Sequence, residues 1–255
     1  MPVMYNLSFY HDDDNVTFHR EDRILFSQCG FTNRLSLGEL LRLTSDAATE
    51  DYRERGMSYE FLAQKDVAIL VSRLAFRIHS MPTMNQMVQV TTWEEKPEAI
   101  QLKRAYEITG EGGSKLVSGL SAWLIVNPKT RRIIPSKDFN LRPASEREEE
   151  HDCLKPGKIV LPPDMELWHE RTICLSDIDA NRHANNSRYG AFVEDALPAA
   201  LRDREFTDFR LNYSKEAKLD QKMQVFGKVF DSESRLVMAG KTEEGNSFEA
   251  ELYWK

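Results

Sequence analysis

The segment DIDANRHANN, Asp177 to Asn186, gathers two carboxylates, three carboxamides and a histidine into ten consecutive positions. Side chains of these types bind cations, cap helices or move protons, and their spacing separates the three roles. Asp177, Asp179 and Asn181 occupy the first, third and fifth places of a calcium loop. The sixth, where the sharp turn needs glycine, is Arg182, and the twelfth, which should be a bidentate glutamate, is Arg188, so the calcium reading fails. His183 has no second histidine or cysteine at ligand spacing, which removes zinc too, and neither metal nor cofactor is expected. Helix capping accounts for Asn185 or Asn186, because one carboxamide oxygen suffices for an N-cap. It leaves a histidine and two carboxylates over. In an extended or turn-like backbone, alternation aims Asp179, Asn181 and His183 at one spot. A following helix adds unpaired N–H groups near Ala184 to Asn186 and a positive dipole end, donors suited to a carbonyl oxygen that gains negative charge under attack. The chemistry implied is acyl transfer or hydrolysis.

The elements that must position this segment recur along the chain. DRILFSQCGFTNRLSLGELL, from Asp22, lies over ERTICLSDIDANRHANNSRY, from Glu170, with Asn33-Arg34 falling on Asn181-Arg182. In this register Phe31 stands where Asp179 does and Leu35 where His183 does, so one copy keeps the polar set and the other has lost it. Each half runs strand, polar turn, one long helix, then a series of strands. In the first half Ser36 with Glu39 forms a capping box. Leu37, Leu40, Leu41, Thr44, Ala47, Ala48 and Tyr52 then repeat near 3.6 residues, and Gly56 ends the helix. Strands are predicted over 67–79, 87–95, 99–109 and 115–126. In the second half the prediction is a strand over 166–175, a helix over 185–201 stopped or kinked at Pro198, and strands over 208–216, 222–231, 235–243 and 247–254. Successive strands without intervening helices disfavour a parallel α/β fold. The expected class is α+β, a tandem (double) hotdog of two antiparallel sheets, each wrapped around a long central helix and joined edge to edge. The boundaries implied are an N-terminal domain over 1–141, a charged linker over 142–157 containing RPASEREEEHD, and a C-terminal catalytic domain over 158–255.

Composition narrows the class further. With 41% hydrophobic and 29% charged residues the chain is globular in character, and a net charge of −7 disfavours a nucleic-acid partner. Three widely separated cysteines, Cys29, Cys153 and Cys174, fit neither a disulfide framework nor a CxxC site. A cytoplasmic setting is expected, since the N-terminus MPVMYNLSFYHDDDNV has no leader pattern and no apolar run is long enough for membrane insertion. Edge strands make a homodimer conceivable.

SDIDANRHANNSRY resembles the pattern S-D-x-D-x-N-x-H-x-N-N-x-x-Y of the acyl-acyl carrier protein thioesterases of plants and bacteria. TWEEKPEAIQLKRAYEI and SAWLIVNPKTRRI are similar to strands of that family, and LNYSKEAKLD to its L-x-Y-x-x-E-C strand. The resemblance implies hydrolysis of fatty acyl-carrier thioesters, with the catalytic residues falling on Asp179, Asn181, His183 and Glu216. The family's cysteine after that glutamate falls on Ala217, which cannot be a nucleophile, so water attack is favoured over a covalent route. Glu216, alone or with Asp179, would be the base, His183 would position water or assist proton transfer, and Asn181 would orient substrate or water. Asn185 and Asn186 would meet the substrate. The first copy would hold the acyl chain, lined by Leu40, Leu41, Val67, Ile69, Val71 and Trp93. An acidic acyl carrier protein needs local cations for docking, and Lys129, Arg131 and Arg132, together with Arg182, Arg188, Lys215 and Lys218, would supply them. His79 has no assembled partners and reads as an ordinary surface histidine. The rival expectations are an acyl-CoA thioesterase, a hydratase or dehydratase, and a noncatalytic acyl-chain binder.

Overall fold

The computed structural model describes residues 8–13 and 16–255. Residues 1–7, 14 and 15, part of the segment judged to lack a leader pattern, lie outside the described residues. Strands β1 (Phe9–His11) and β2 (Phe18–Arg23) precede helix α1 (Leu37–Glu54) and the short α2 (Tyr59–Gln64). Then come β3 (Ala68–Ile78), β4 (Met87–Glu98), β5 (Gln101–Thr109), β6 (Lys115–Asn127) and β7 (Arg132–Ile134). The second half supplies β8 (Glu166–Thr172), α3 (Arg188–Asp195), β9 (Phe206–Tyr213), β10 (Lys222–Phe230), β11 (Arg235–Thr242) and β12 (Gly245–Trp254).

Eleven of the strands form one continuous antiparallel path, β1-β2-β4-β5-β6-β3-β9-β12-β11-β10-β8, with β7 pairing β6 off the path. The two halves join where β3 pairs β9, Leu74 opposite Leu211 and Phe76 opposite Phe209. The double hotdog therefore has one shared sheet rather than two touching ones. Among the described residues the path ends at β1 and β8. Among the described residues no helix is long and apolar enough to cross a membrane.

Helix α1 starts where the capping signature places it: the Ser36 hydroxyl accepts the Glu39 amide, and the periodic apolar residues from Leu37 to Tyr52 are buried. The second helix departs from expectation. Only Arg188 to Asp195 is α-helical, followed by a 3-10 turn at Ala199–Leu201. At its start, the Asn185 Oδ1 accepts both the amide and the hydroxyl of Ser187, holding a turn where the helix was predicted. At its end Pro198 lacks the N–H to continue it. The two helices cross closely at Gly38 and Gly190.

The charged stretch after residue 141 is pinned across the sheet's outer face. The Ser145 hydroxyl donates to the Glu94 carbonyl (2.8 Å), the Lys96 amide to the Arg147 carbonyl (2.7 Å), and the Asn212 side-chain amide to the Gly157 carbonyl (3.1 Å). One backbone and two side-chain hydrogen bonds thus tie the segment to both halves of the sheet.

The repeat itself is out of register with the Asn-Arg identity by one residue. In each half a short bridge closes a tight loop, Cys29 with Leu35 and Ile178 with Ala184. The Gly30 amide donates to the Arg34 carbonyl as the Asp179 amide does to the His183 carbonyl, both at 2.9 Å. The left-handed residue of the loop is Asn33 (φ 61°) in one and Arg182 (φ 67°) in the other. Gly30 and Arg34, not Phe31 and Leu35, are thus the counterparts of Asp179 and His183. Turn geometry, which needs one left-handed residue at a set place, outweighs a two-residue identity.

Candidate active site

The loop holding the polar segment is built before its chemistry is available. Asp177 is 1% exposed, and its carboxylate accepts the Cys174 amide, Arg171 and Arg188, each at 2.9 Å. Burial alone would raise its pKa. The Cys174 amide and the two guanidiniums more than compensate and hold it below the ordinary carboxylate range. Asp177→Ala leaves Arg171, itself half-buried, without this partner, and is expected to cost about 3 kcal/mol. Because the folded-state pKa is depressed, this stabilisation is present above the unfolded value of about 4 and fades as pH falls through the folded one. Urea unfolding should therefore show a wild-type advantage at pH 7 that shrinks on acidification below about pH 4. An unchanged midpoint at pH 7 would remove Asp177 from the scaffold.

The loop is a closed turn rather than the extended run that alternation assumed. The Asp179 Oδ1 accepts the Asn181 amide (2.8 Å), and the Arg182 amide donates to the Asp179 carbonyl (3.0 Å). Asp179 thus spends one oxygen shaping the loop. Asn181 is turned to Tyr59, whose hydroxyl donates to its Oδ1 at 3.2 Å from the first residue of α2. His183 goes elsewhere: its Nε2 lies 3.0 Å from the Glu216 Oε2, the side chains being 31% and 49% exposed. Among the described residues no side-chain hydrogen bond or ion pair joins the Asp179 carboxylate to His183 or to Glu216; the Asp179 amide meets His183 only at the His183 backbone carbonyl.

Glu216 stands just beyond the end of β9, in the loop leading to β10. Its position is set by a backbone bond next door, the Ala184 amide to the Ala217 carbonyl (2.8 Å), which splices the two loops together. Ala217 is fully buried, and its amide points to the Tyr189 hydroxyl at 3.4 Å. Tyr189 also bonds Ser247 (3.1 Å), and burial pushes its phenol pKa up, so it is a neutral strut.

The three amides considered as oxyanion donors are not equivalent. Ala184 donates to Ala217 and Asn185 to the Asp177 carbonyl (2.8 Å), so both are committed. The Asn186 amide has no acceptor among the described residues, while its carbonyl accepts the Tyr213 hydroxyl (3.0 Å). In the other half the matching amide, that of Leu37, is filled by the Glu194 Oε1 at 2.8 Å. Burial pushes the Glu194 carboxyl up to about 7, and one of its oxygens satisfies in this half the amide that at Asn186 has no acceptor among the described residues.

Asn186 and Tyr213 edge a narrow apolar cavity of about 20 Å³ between α1 and the sheet. Leu41, Val71, Leu74, Phe76 and Trp123 line it. Of the lining residues expected from sequence, Leu41 and Val71 face this cavity. Leu40 is fully buried core, and Val67 and Ile69 pack against the core without bordering it. Trp93 is a correction. Its neighbour Glu94 accepts the Tyr52 hydroxyl of α1, so the intervening side chain points to the opposite face. There Trp93 lies under Arg147 (4.2 Å to the ring centre) and beside His151. Asn185 is a turn builder at this site, as its bonds to Ser187 show.

The cations sort by partner. Lys129 pairs Asp66, Arg188 pairs Asp177 and Lys218 pairs Glu244, and the Lys215 ammonium donates to the Glu244 carbonyl. Arg131, Arg132 and Arg182 have no acidic partner among the described residues. The Lys129–Asp66 pair ties their hairpin to the segment after α2, the helix that meets Asn181. His79 pairs Asp152 at 2.9 Å. No group of three or more His, Cys, Asp or Glu able to hold a metal occurs among the described residues.

Sequence reasoning missed Tyr59, Tyr213 and Asp177. Asp177 was in view as a candidate calcium ligand, and its burial had no local signal. Tyr59 opens a six-residue helix whose contact lies 122 residues away.

Residues 15–139 match the family model described as the acyl-ACP thioesterase N-terminal domain, and residues 163–254 match the C-terminal domain of the same family. The chain is 25% identical over 236 residues to the chloroplastic palmitoyl-acyl carrier protein thioesterase of Gossypium hirsutum, covering 86% of this chain and 56% of that one. A Cuphea hookeriana enzyme of the same description is 24% identical, over 80% of this chain and 52% of the relative. The chain thus spans about half the length of the curated relatives it matches. Among solved structures, an acyl-ACP thioesterase from Bacteroides thetaiotaomicron aligns over 96% of this chain and 100% of its own, with a TM-score of 0.86 at 22% identity. The 12:0-ACP thioesterase of Umbellularia californica aligns over 94% and 97%, with a TM-score of 0.79 at 19% identity. At these identities the structures speak for the shared fold.

Proposed function

Because this chain belongs to the acyl-ACP thioesterase family, we propose that it hydrolyses fatty acyl-acyl carrier protein thioesters to free fatty acid and carrier protein, ending chain growth in fatty-acid synthesis. The observation that carries this reading is the His183–Glu216 pair, 3.0 Å apart, with His183 on a loop that runs on to Asn186, which edges an apolar cavity and whose amide has no acceptor among the described residues.

In the proposed reaction the acyl chain enters the cavity under α1, which must widen by side-chain movement, since its present volume is hardly more than one water needs. The thioester carbonyl oxygen sits on the Asn186 amide. Glu216 takes a proton from a water that attacks the carbonyl carbon. His183 holds that carboxylate and water in line, and the negative charge that builds on oxygen is met by the amide. Collapse of the tetrahedral intermediate breaks the carbon–sulfur bond, and the thiolate takes back the proton. Asn181, held by Tyr59, would orient the substrate or the water. Asp179 contributes by shaping the loop. The N-terminal half holds the chain and the C-terminal half carries the chemistry, in a reducing cytoplasm compatible with the three free cysteines.

Arg131, Arg132 and Arg182, which have no acidic partner among the described residues, would meet an acidic carrier protein. Thiol release from carrier and CoA thioesters across chain lengths tests the reading. Arg131→Glu with Arg132→Glu is expected to raise KM for the carrier thioester about tenfold or more and to leave KM for the CoA thioester nearly unchanged. Equal effects on both would favour the acyl-CoA reading, and no thiol from any substrate would sink both.

A further inference from the structure

The site in the first half that mirrors the candidate active site has become a cavity of its own. The Leu35 amide donates to the Pro82 carbonyl as the Ala184 amide does to the Ala217 carbonyl, both at 2.8 Å. Further on, Asn85 and Asp220 share a left-handed backbone (φ 67° in both), and their amides donate to the carbonyls of Ile24 and Ile173. Met81 therefore occupies the place of Glu216, as Arg34 occupies that of His183. A thioether beside a guanidinium offers no base for water, so this position cannot run the same hydrolysis.

The space is nevertheless open. A cavity of about 300 Å³ lies here, larger than the one under α1, with Leu35, Ile78, Met81, Leu197 and Phe206 among its walls. Arg202, Arg204 and Lys255 also border it, all three exposed and none with an acidic partner among the described residues. Arg34 is already paired with Glu205, and Asp195 with Arg171. Glu194 closes the inner end by taking the Leu37 amide, so an anionic group has no donor left at the floor and finds its cations at the rim.

We propose that this cavity is a non-hydrolysing binding site for a long-chain carboxylate, its alkyl chain along the Leu35, Met81 and Phe206 walls and its head group on Arg202, Arg204 and Lys255. Arg202 gives its Nε hydrogen to the Leu197 carbonyl (3.1 Å) and keeps its terminal nitrogens for a ligand. An apolar interior with guanidiniums that have no acidic partner among the described residues at its rim selects an amphiphile with an anionic head over a neutral lipid or a simple anion. The assignment is independent of the hydrolysis reading, since it draws on different residues.

Calorimetric titration of dodecanoate tests it. Wild-type protein should bind one equivalent that Arg202→Glu with Arg204→Glu weakens about tenfold or more, while thiol release persists. Met81→Trp, which fills the cavity without touching its charges, should remove the same equivalent. Melting curves of both variants matched to wild type exclude unfolding as the cause. Dodecanol should not compete for this equivalent, and neither should CoA without an acyl chain. Unchanged dodecanoate affinity and stoichiometry in both variants would overturn the proposal. So would equal competition by dodecanol, which removes the anionic head from recognition, or displacement by CoA alone, which makes the ligand phosphate-bearing.

Discussion

Glu216→Gln should lower the turnover number for thioester hydrolysis by about a hundredfold to ten-thousandfold, the range expected when a positioned general base is lost. The substitution keeps size and hydrogen bonding, and the pair it alters is exposed at 31% and 49%, so the fold should hardly respond. An exposed ion pair contributes at most about 1 kcal/mol, which makes a large activity loss at constant melting temperature the mark of chemistry rather than architecture. His183→Ala should act through the same step. Groups that work as one unit are strongly non-additive, so the double variant should be little worse than the weaker single one. Single-turnover thiol release across pH, beside thermal melts, measures this. Full turnover by folded Glu216→Gln would move the base elsewhere, with Asp179 the next carboxylate along the loop.

Gly190→Ala should destabilise the protein by roughly 3 kcal/mol or more, from overpacking with no route of relief. A Cβ at Gly190 would lie 2.4 Å from the Gly38 nitrogen, 2.6 Å from the Leu37 carbonyl carbon and 2.7 Å from the Gly38 Cα. All three are backbone atoms of α1, so the helices must separate. For a chain of this size the loss amounts to a fall of about 6–12 °C in melting temperature. Gly30→Ala is the control, since a Cβ there meets nothing within 4 Å and should stay within about 0.5 kcal/mol of wild type. Separation of the helices would also pull Leu37 from Glu194 and shift Asn186, so activity should fall with stability. A melting temperature for Gly190→Ala equal to that of Gly30→Ala would show that the crossing is looser than described.

Local signals were strong where local physics decides. Ser36, Glu39 and the spacing from Leu37 to Tyr52 announced α1 because capping and amphipathic periodicity are properties of neighbours. The longer strands were visible for the same reason, and β2 was expected only as the strand that opens the first half, whereas β1, β7 and α2 are short and carried little periodic signal. Asp51 and Arg104 form a buried ion pair at 2.7 Å between α1 and β5, and nothing near either residue in sequence distinguishes them from solvated charges. The short α3 was overestimated because Asn185 looked like a cap and instead holds a turn.

By itself the sequence determined the order of the longer elements, the first helix and its cap, and the absence of a nucleophile at Ala217. Its motif also pointed to the residues now seen in the two spliced loops. The tertiary structure decided the partners. It paired His183 with Glu216, left the Asn186 amide without an acceptor among the described residues, turned Trp93 to the outer face and shifted the internal repeat by one residue to reveal a second cavity. Each of these depends on contacts between chain segments far apart in sequence and on side chains alternating across a sheet. A one-residue change of register redirects such contacts while leaving composition and periodicity almost untouched.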